Sequence, residues 1–297
     1  MRAVRKPAAG PGLEYRDDVG DPVAGPGEVL LAVEAASLCG TDRELVEWTP
    51  AARAFDLHPP VVLGHEGCGV VLEVGRGVAD VEVGARVALE SHLVCGRCSA
   101  CRTGSAHLCE RTRILGMHLD GVFAERVRVP ADLCVVVPPS VGAETATLLE
   151  AAGVGMHAIQ RSGFAAGGNV LVSGAGPVGL VTAHLARVLG AAHVVAVEPN
   201  PARRRRAEAL GVTALAPDDD VVGHCRDLAG PRGGFDVAVE ASGAPGVLPP
   251  LLDALRREGT LVTVGHPSRP AEIDVAGQIN KKGITLRGVF GRRLWDT

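Results

Sequence analysis

At 297 residues with 46% hydrophobic content, the chain can fill two cores, which excludes a disordered or fibrous protein. Its 34 acidic and 30 basic side chains are scattered, and the net charge of -4 offers no field for nucleic acid or an anionic membrane, so a small neutral or mixed-charge partner is expected. The N-terminus lacks the apolar run of a secretory signal, and no stretch approaches the roughly 20 apolar residues of a membrane helix, so a cytoplasmic protein is expected.

From about Val29 to Val137, short apolar runs such as VLLAVEAA, ARVALE and LCVVVPP are broken by glycine and proline, a pattern that predicts an all-β region with tight turns. Two motifs inside it carry metal-type donors: Cys39-Gly40-Thr41-Asp42 and Gly64-His65-Glu66, with Glu150 further on. Sulfur, imidazole and carboxylate are the donor set of an open zinc site, in which a fourth position is left for water or substrate. Taken singly, each residue has a bland explanation: a buried thiol, a turn histidine, a surface charge.

Cys95, Cys98, Cys101 and Cys109 form C-x2-C-x2-C-x7-C, a spacing that suits a closed tetrahedral structural zinc rather than disulfides in a reducing compartment. An iron–sulfur cluster and unliganded buried thiols are the competing explanations. After Gly142 the run AETATLLEAAGVGMHAIQRSG changes to three- and four-residue spacing, which predicts a connecting helix and a domain boundary near residue 150.

Beyond that boundary, apolar strand-like runs (NVLVSG, HVVAVE, FDVAVEASG, TLVTVG, ITLRGVF) alternate with helical ones (GLVTAHLARVLG, PARRRRAEALG, GVLPPLLDALRREG), the signature of a doubly wound parallel sheet. Val170-Leu-Val-Ser-Gly174-Ala-Gly176-Pro177-Val178-Gly179 is a strand entering G-x-G-x-x-G and then a helix. Gly174 allows the tight turn, Gly176 the approach of a pyrophosphate, and Gly179 close helix packing, while the helix N-terminus supplies amide donors. Glu198 closes the second strand nineteen residues after Gly179, where a carboxylate accepts from ribose hydroxyls and repels a 2′-phosphate; NAD is favoured over NADP. Arg203 to Arg206 are the counter-signal, since they could neutralise a phosphate, although arginines at a helix start are more often a solvated face; Arg203 is counted with the cofactor-binding candidates.

With CGTD at Cys39, GHEGCG around His65, the four-cysteine loop, GAGPVG at Gly174, EASGAP at Glu240 and RGVFGR at Arg287, the whole chain resembles the zinc-containing medium-chain alcohol dehydrogenases, and is most similar to their threonine and polyol (sorbitol-type) branch. The resemblance implies an α/β protein with a β-rich, GroES-like catalytic domain over 1–150 and a Rossmann nucleotide domain over 151–297. It implies one catalytic zinc on Cys39, His65 and Glu66, with Glu150 as an alternate or water-mediated ligand, and one structural zinc on the four cysteines. Thr41 would relay the substrate's proton and His92 would line the substrate pocket. Where that branch commonly has a histidine five residues after the zinc cysteine, this chain has Glu44, which would put a carboxylate at the outer end of the relay.

The implied reaction passes a hydride between a small secondary alcohol, threonine-, polyol- or cyclitol-like, and NAD, in a homodimer or homotetramer. Its rivals are a zinc-free quinone or enoyl reductase of the same fold and a non-enzymatic relative. The family usually continues past the RGVFGR strand with a segment that returns to the catalytic domain. Its absence before Thr297 leads to the expectation of intact cofactor binding with weak turnover.

Overall fold

The computed structural model describes residues 1–267 and 269–297. Two compact units divide the chain, Met1–Glu150 and Ala151–Thr297.

The first unit is built on a five-stranded antiparallel sheet in the order Cys134–Val136, Arg86–Leu89, Gly67–Val74, Glu28–Ala36, Arg126–Pro130. Val29, Leu31, Val71, Val87, Leu89, Val127 and Val129 fill its core, two apart along each strand because successive side chains point to opposite faces. A smaller sheet pairs Ala3–Lys6 with Glu14–Arg16 and Val61–Val62, and His92–Leu93 pairs with Arg113–Ile114.

The region is not all-β as its texture predicts. A helix spans Gly40–Glu47, and short helices lie at Pro50–Arg53 and Ser99–Arg102. The first buries only Asp42 and Leu45, so it carries no apolar stripe for periodicity to reveal. Lys6, with no exposed surface, holds its far end: Nζ donates to the carbonyls of Leu45 at 2.6 Å, Gly12 at 2.9 Å and Gly10.

The expected connecting helix is two, Ala143–Thr147 and Leu149–Ser162. The second unit is then a six-stranded parallel sheet in the order Thr213–Leu215, His193–Val197, Asn169–Ser173, Phe235–Glu240, Leu255–Thr263, Thr285–Gly288. Alternate residues of its strands feed two cores. Val170, Val172, Val194, Ala196, Val237 and Val239 pack on one face; Leu171, Val195, Ala238 and Leu261 pack on the other. Strands buried on both faces are apolar throughout for this reason.

One helix is shorter than its sequence suggests. GVLPPLLDALRREG stays helical only through Ala254, and Leu255 already belongs to the next strand, which carries Arg256 to Gly259 as a bulge between its pairings with Phe235 and Val237. Glu258, at φ 58°, turns the chain there.

Candidate active site

The mixed-donor residues come from two pieces of backbone. Cys39 caps the helix Gly40–Glu47, and Asp42 Oδ2 accepts the Cys39 N–H at 2.9 Å, which fixes the cap. His65 and Glu66 precede the strand Gly67–Val74, and both are buried. That segment is gripped by a neighbouring turn. Val122 N–H donates to the Gly64 carbonyl at 3.0 Å, and a Cβ on Gly121 would come within 2.0 Å of the same oxygen, so only glycine permits the approach.

Among the described residues, one ligand atom from each of Cys39, His65 and Glu66 lies within 4.8 Å of the other two. Behind them, His65 Nδ1 faces Asp42 Oδ1 at 3.5 Å, and neither buried atom has a hydrogen bond. A proton held at Nδ1 toward Asp42 leaves Nε2 as a donor, the orientation that a carboxylate gives a metal-binding histidine. This donor set and its orphaned polar pair fit a divalent metal of the zinc type, with three protein ligands. Burial lowers the His65 imidazole, but the close approach of Asp42 and Cys39 outweighs it and holds His65 well above its ordinary value. Burial, and then the charge of Glu150, raise the Glu66 carboxyl above the usual carboxylate range.

Thr41 lies beside the cluster, its Oγ1 3.7 Å from Cys39 Sγ. Glu150 acts on Glu66 through its charge but is not among the three clustered ligands. Glu44 is in mid-helix and half-buried, its carbonyl accepting the N–H groups of Trp48 and Thr49, and its side chain joins no ligand group. His92 is half-buried on its two-residue strand, with its N–H on Glu90 Oε1 at 2.8 Å and its Nδ1 3.5 Å from the same oxygen. Asp42 was not singled out by the sequence analysis; its position three residues after a cap was the available signal.

The four cysteines of the loop also converge, one ligand atom from each within 4.8 Å of the rest, and all eight cysteines of the chain are free thiols. Backbone amides aim at the sulfurs: Cys98 N–H at Cys95, and both Cys95 N–H and Arg111 N–H at Cys109, each at 3.4 Å. Donors from Arg97 and Cys98 bring the Cys95 thiol down to about 6. Burial first, then the crowding sulfurs of Cys98 and Cys109, push Cys101 up to about 12. Four thiols so arranged are poised to lose protons to a cation.

In the second unit, Gly174 (φ 92°) follows the strand Asn169–Ser173, and Gly176 caps the helix Pro177–Val188, with Pro177 at its first position and no side-chain cap. A Cβ on Gly179 would sit 2.0 Å from the Gly174 carbonyl, whereas one on Gly176 would meet nothing within 4 Å. The first contact closes helix on strand; the second leaves an open cradle before the amides of Val178 and Gly179, which suits a pyrophosphate. Glu198 is buried, its Oε2 accepting the Ala175 N–H at 2.8 Å and its Oε1 the Asn200 N–H at 2.9 Å. Arg203 Nη1 stands 3.8 Å from Glu198, and Arg204 turns back onto the carbonyls of Glu198 and Pro199. Glu240 folds the neighbouring loop over its own strand end by accepting from the N–H groups of Ser242 and Gly243.

Comparisons with known proteins show the family. Residues 25–139 match the alcohol dehydrogenase GroES-like domain and residues 177–297 the zinc-binding dehydrogenase domain. The chain is 40% identical over 299 residues to an L-threonine 3-dehydrogenase of Pyrococcus horikoshii, covering 100% of this chain and 85% of that protein. It is 37% identical over 298 residues to the Streptomyces avermitilis enzyme of the same name, covering 100% and 86%. A structure described as a zinc-binding dehydrogenase of Sinorhizobium meliloti, bound to NADP, superposes with a TM-score of 0.89 at 34% identity over 99% of this chain and 85% of that one. The 2R,3R-butanediol dehydrogenase of Bacillus subtilis superposes at 0.86 with 30% identity over 98% and 84%. The chain therefore belongs to the zinc-containing medium-chain alcohol dehydrogenases, in their threonine dehydrogenase branch, and is an oxidoreductase of CH–OH groups that uses zinc and NAD(P).

Proposed function

We propose that the substrate is a small 2-amino-3-hydroxy acid of the L-threonine class, oxidised at its secondary alcohol with NAD. The convergence of Cys39, His65 and Glu66 carries the reading, because it supports a three-ligand donor set in which His65 and Glu66 are buried. The relatives at 40% and 37% identity, named for threonine, support the substrate class.

On this reading residues 1–150 are the catalytic domain and 151–297 the nucleotide domain. Cys39, His65 and Glu66 hold the catalytic zinc, with Glu150 as a nearby second carboxylate, and Cys95, Cys98, Cys101 and Cys109 hold the structural one. When bound, the catalytic zinc supplies Lewis acidity that makes the alcohol easier to deprotonate near neutral pH. Thr41 accepts the hydroxyl proton and passes it outward, with Glu44 as the relay candidate one turn further along its helix. His92, steadied by Glu90, lines the substrate side. Gly174, Gly176, Pro177, Val178 and Gly179 cradle the pyrophosphate, and Glu198 takes the ribose hydroxyls while keeping its two backbone donors. Arg203 beside it softens the rejection of a 2′-phosphate, so the preference for NAD over NADP is moderate.

No helix of the described residues is long and apolar enough to cross a membrane. A cytoplasmic homodimer or homotetramer completes the proposal, supported by the eight free thiols for the compartment. The test is a screen of secondary alcohols and amino alcohols with NAD and NADP, followed by the absorbance of the reduced nicotinamide. Threonine with NAD should give the highest kcat/KM; a simple diol outpacing every amino alcohol would contradict the substrate class.

A further inference from the structure

One contact at the mixed-donor cluster has no part in the reading above. Ser37 follows the strand Glu28–Ala36 and stands two residues ahead of Cys39. It holds Glu66 twice. Its N–H donates to the Glu66 carbonyl at 3.1 Å, and its hydroxyl donates to Glu66 Oε2 in a short contact. The first bond ties the backbone carrying Cys39 to the backbone carrying His65 and Glu66. The second fixes the carboxylate itself.

A serine hydroxyl has a single proton to give, and here it is given to Glu66. Glu66 is 4% exposed, so little water is at hand to replace that donor. A carboxylate can meet a metal through either oxygen or both, and the charge of Glu150 acts against that of Glu66. Something must decide which oxygen faces the metal.

We propose that Ser37 is a positioning residue for the catalytic zinc: by occupying Oε2 it makes Glu66 present one oxygen in a fixed direction beside Cys39 and His65. Partners that orient a ligand from behind are typically worth about 10- to 100-fold in metal affinity or activity. This inference rests on the zinc reading of the Cys39 cluster, and its test keeps the two apart.

The zinc-loaded full chain is compared as wild type, Ser37→Ala, Ser37→Thr and Cys39→Ala. Zinc affinity is read by competition with a chromophoric chelator, and the ligand field by the visible spectrum after cobalt is exchanged into the site. Ser37→Ala should hold its weaker zinc about 10- to 100-fold less tightly and shift the cobalt bands, with the four-cysteine zinc unchanged as an internal check of folding. Ser37→Thr keeps the hydroxyl and should stay close to wild type. Affinity within about twofold of wild type and an unmoved cobalt spectrum in Ser37→Ala would overturn the proposal, as would an equal loss in Ser37→Thr, which would point to packing instead. If Cys39→Ala retains all its metal, the zinc reading itself fails; if it releases one metal while Ser37→Ala matches wild type, only the role of Ser37 fails.

Discussion

The two sulfur-bearing clusters of the first unit are assembled in opposite ways. The four-cysteine loop draws its donors from one segment, residues 95–109, and is supported by the loop's own backbone, whose amides point at the sulfurs from 3.4 Å. The mixed cluster draws Cys39 from a helix cap and His65 and Glu66 from a strand start, and is supported by side chains: Asp42 behind His65, Ser37 on Glu66. A loop that carries its own donors needs little from the rest of the fold. A cluster spread over two elements depends on the fold to bring it together, and it can leave a coordination position open for chemistry.

That contrast can be broken at several points, beginning with the loop. Cys98→Ser should remove the metal from the four-cysteine site and lower the unfolding midpoint on the order of 10 °C, from a loss of about 3 kcal/mol, while turnover per zinc-loaded molecule falls less than about tenfold. Thermal melts and metal-normalised rates check both halves, and collapse of turnover with an unchanged midpoint would reverse the roles of the two sites.

The side chains behind the mixed cluster come next. Asp42→Asn keeps the shape but removes the charge facing His65, and should cost about 10- to 100-fold in zinc affinity or kcat. Chelator titration reads it. No change would mean that the 3.5 Å approach of Asp42 does nothing for the metal.

A smaller effect is expected in the second unit, where the proposed pyrophosphate cradle is a glycine turn and helix start with no side-chain cap. If Glu198 takes the ribose hydroxyls as proposed, Glu198→Ser should raise the KM for NAD and shift the NAD-to-NADP ratio toward NADP by roughly tenfold. Equal changes for both cofactors would show that Glu198 supports the fold through Ala175 and Asn200 and does not select the cofactor.

The smallest concerns the strand leaving the cysteine loop. Burial lowers the His118 imidazole, whose Nδ1 accepts the Ile114 N–H at 2.9 Å. A base with a depressed value in the fold contributes fully while neutral, above its ordinary value of about 6.5, and loses that contribution as pH falls through the lowered one. His118→Gln should therefore flatten the acid-side decline in Tm, by roughly 2 °C or less near about pH 5. An unaltered decline would place the acid sensitivity elsewhere.

What was legible in the sequence follows the same division. The cysteine loop and the G-x-G-x-x-G turn are local, so spacing alone reveals them: the loop closes on itself, and Gly174 and Gly179 meet within a single strand-to-helix turn. The apolar strands of the parallel sheet were legible because burial on both faces leaves no polar alternation. The helix Gly40–Glu47 was not, since it shows only Asp42 and Leu45 to the interior and its cap is a cysteine. Asp42 and Ser37 were missed because their partners lie 23 and 29 residues away and no motif marks a side chain that steadies a ligand from behind. The tail of GVLPPLLDALRREG misled for the opposite reason, because strong helix formers at Arg256 to Glu258 are overridden by the parallel pairings of Leu255 and Thr260 on either side, which leave them in a bulge.

The most direct test of this account is the metal content and X-ray absorption of Cys39→Ala set beside wild type. The account predicts two zinc ions per chain in wild type and one in the variant, with the remaining zinc in an all-sulfur shell, an intact unfolding midpoint and turnover reduced at least roughly a thousandfold. Retention of both zinc ions, or a remaining zinc with nitrogen and oxygen neighbours, would contradict it.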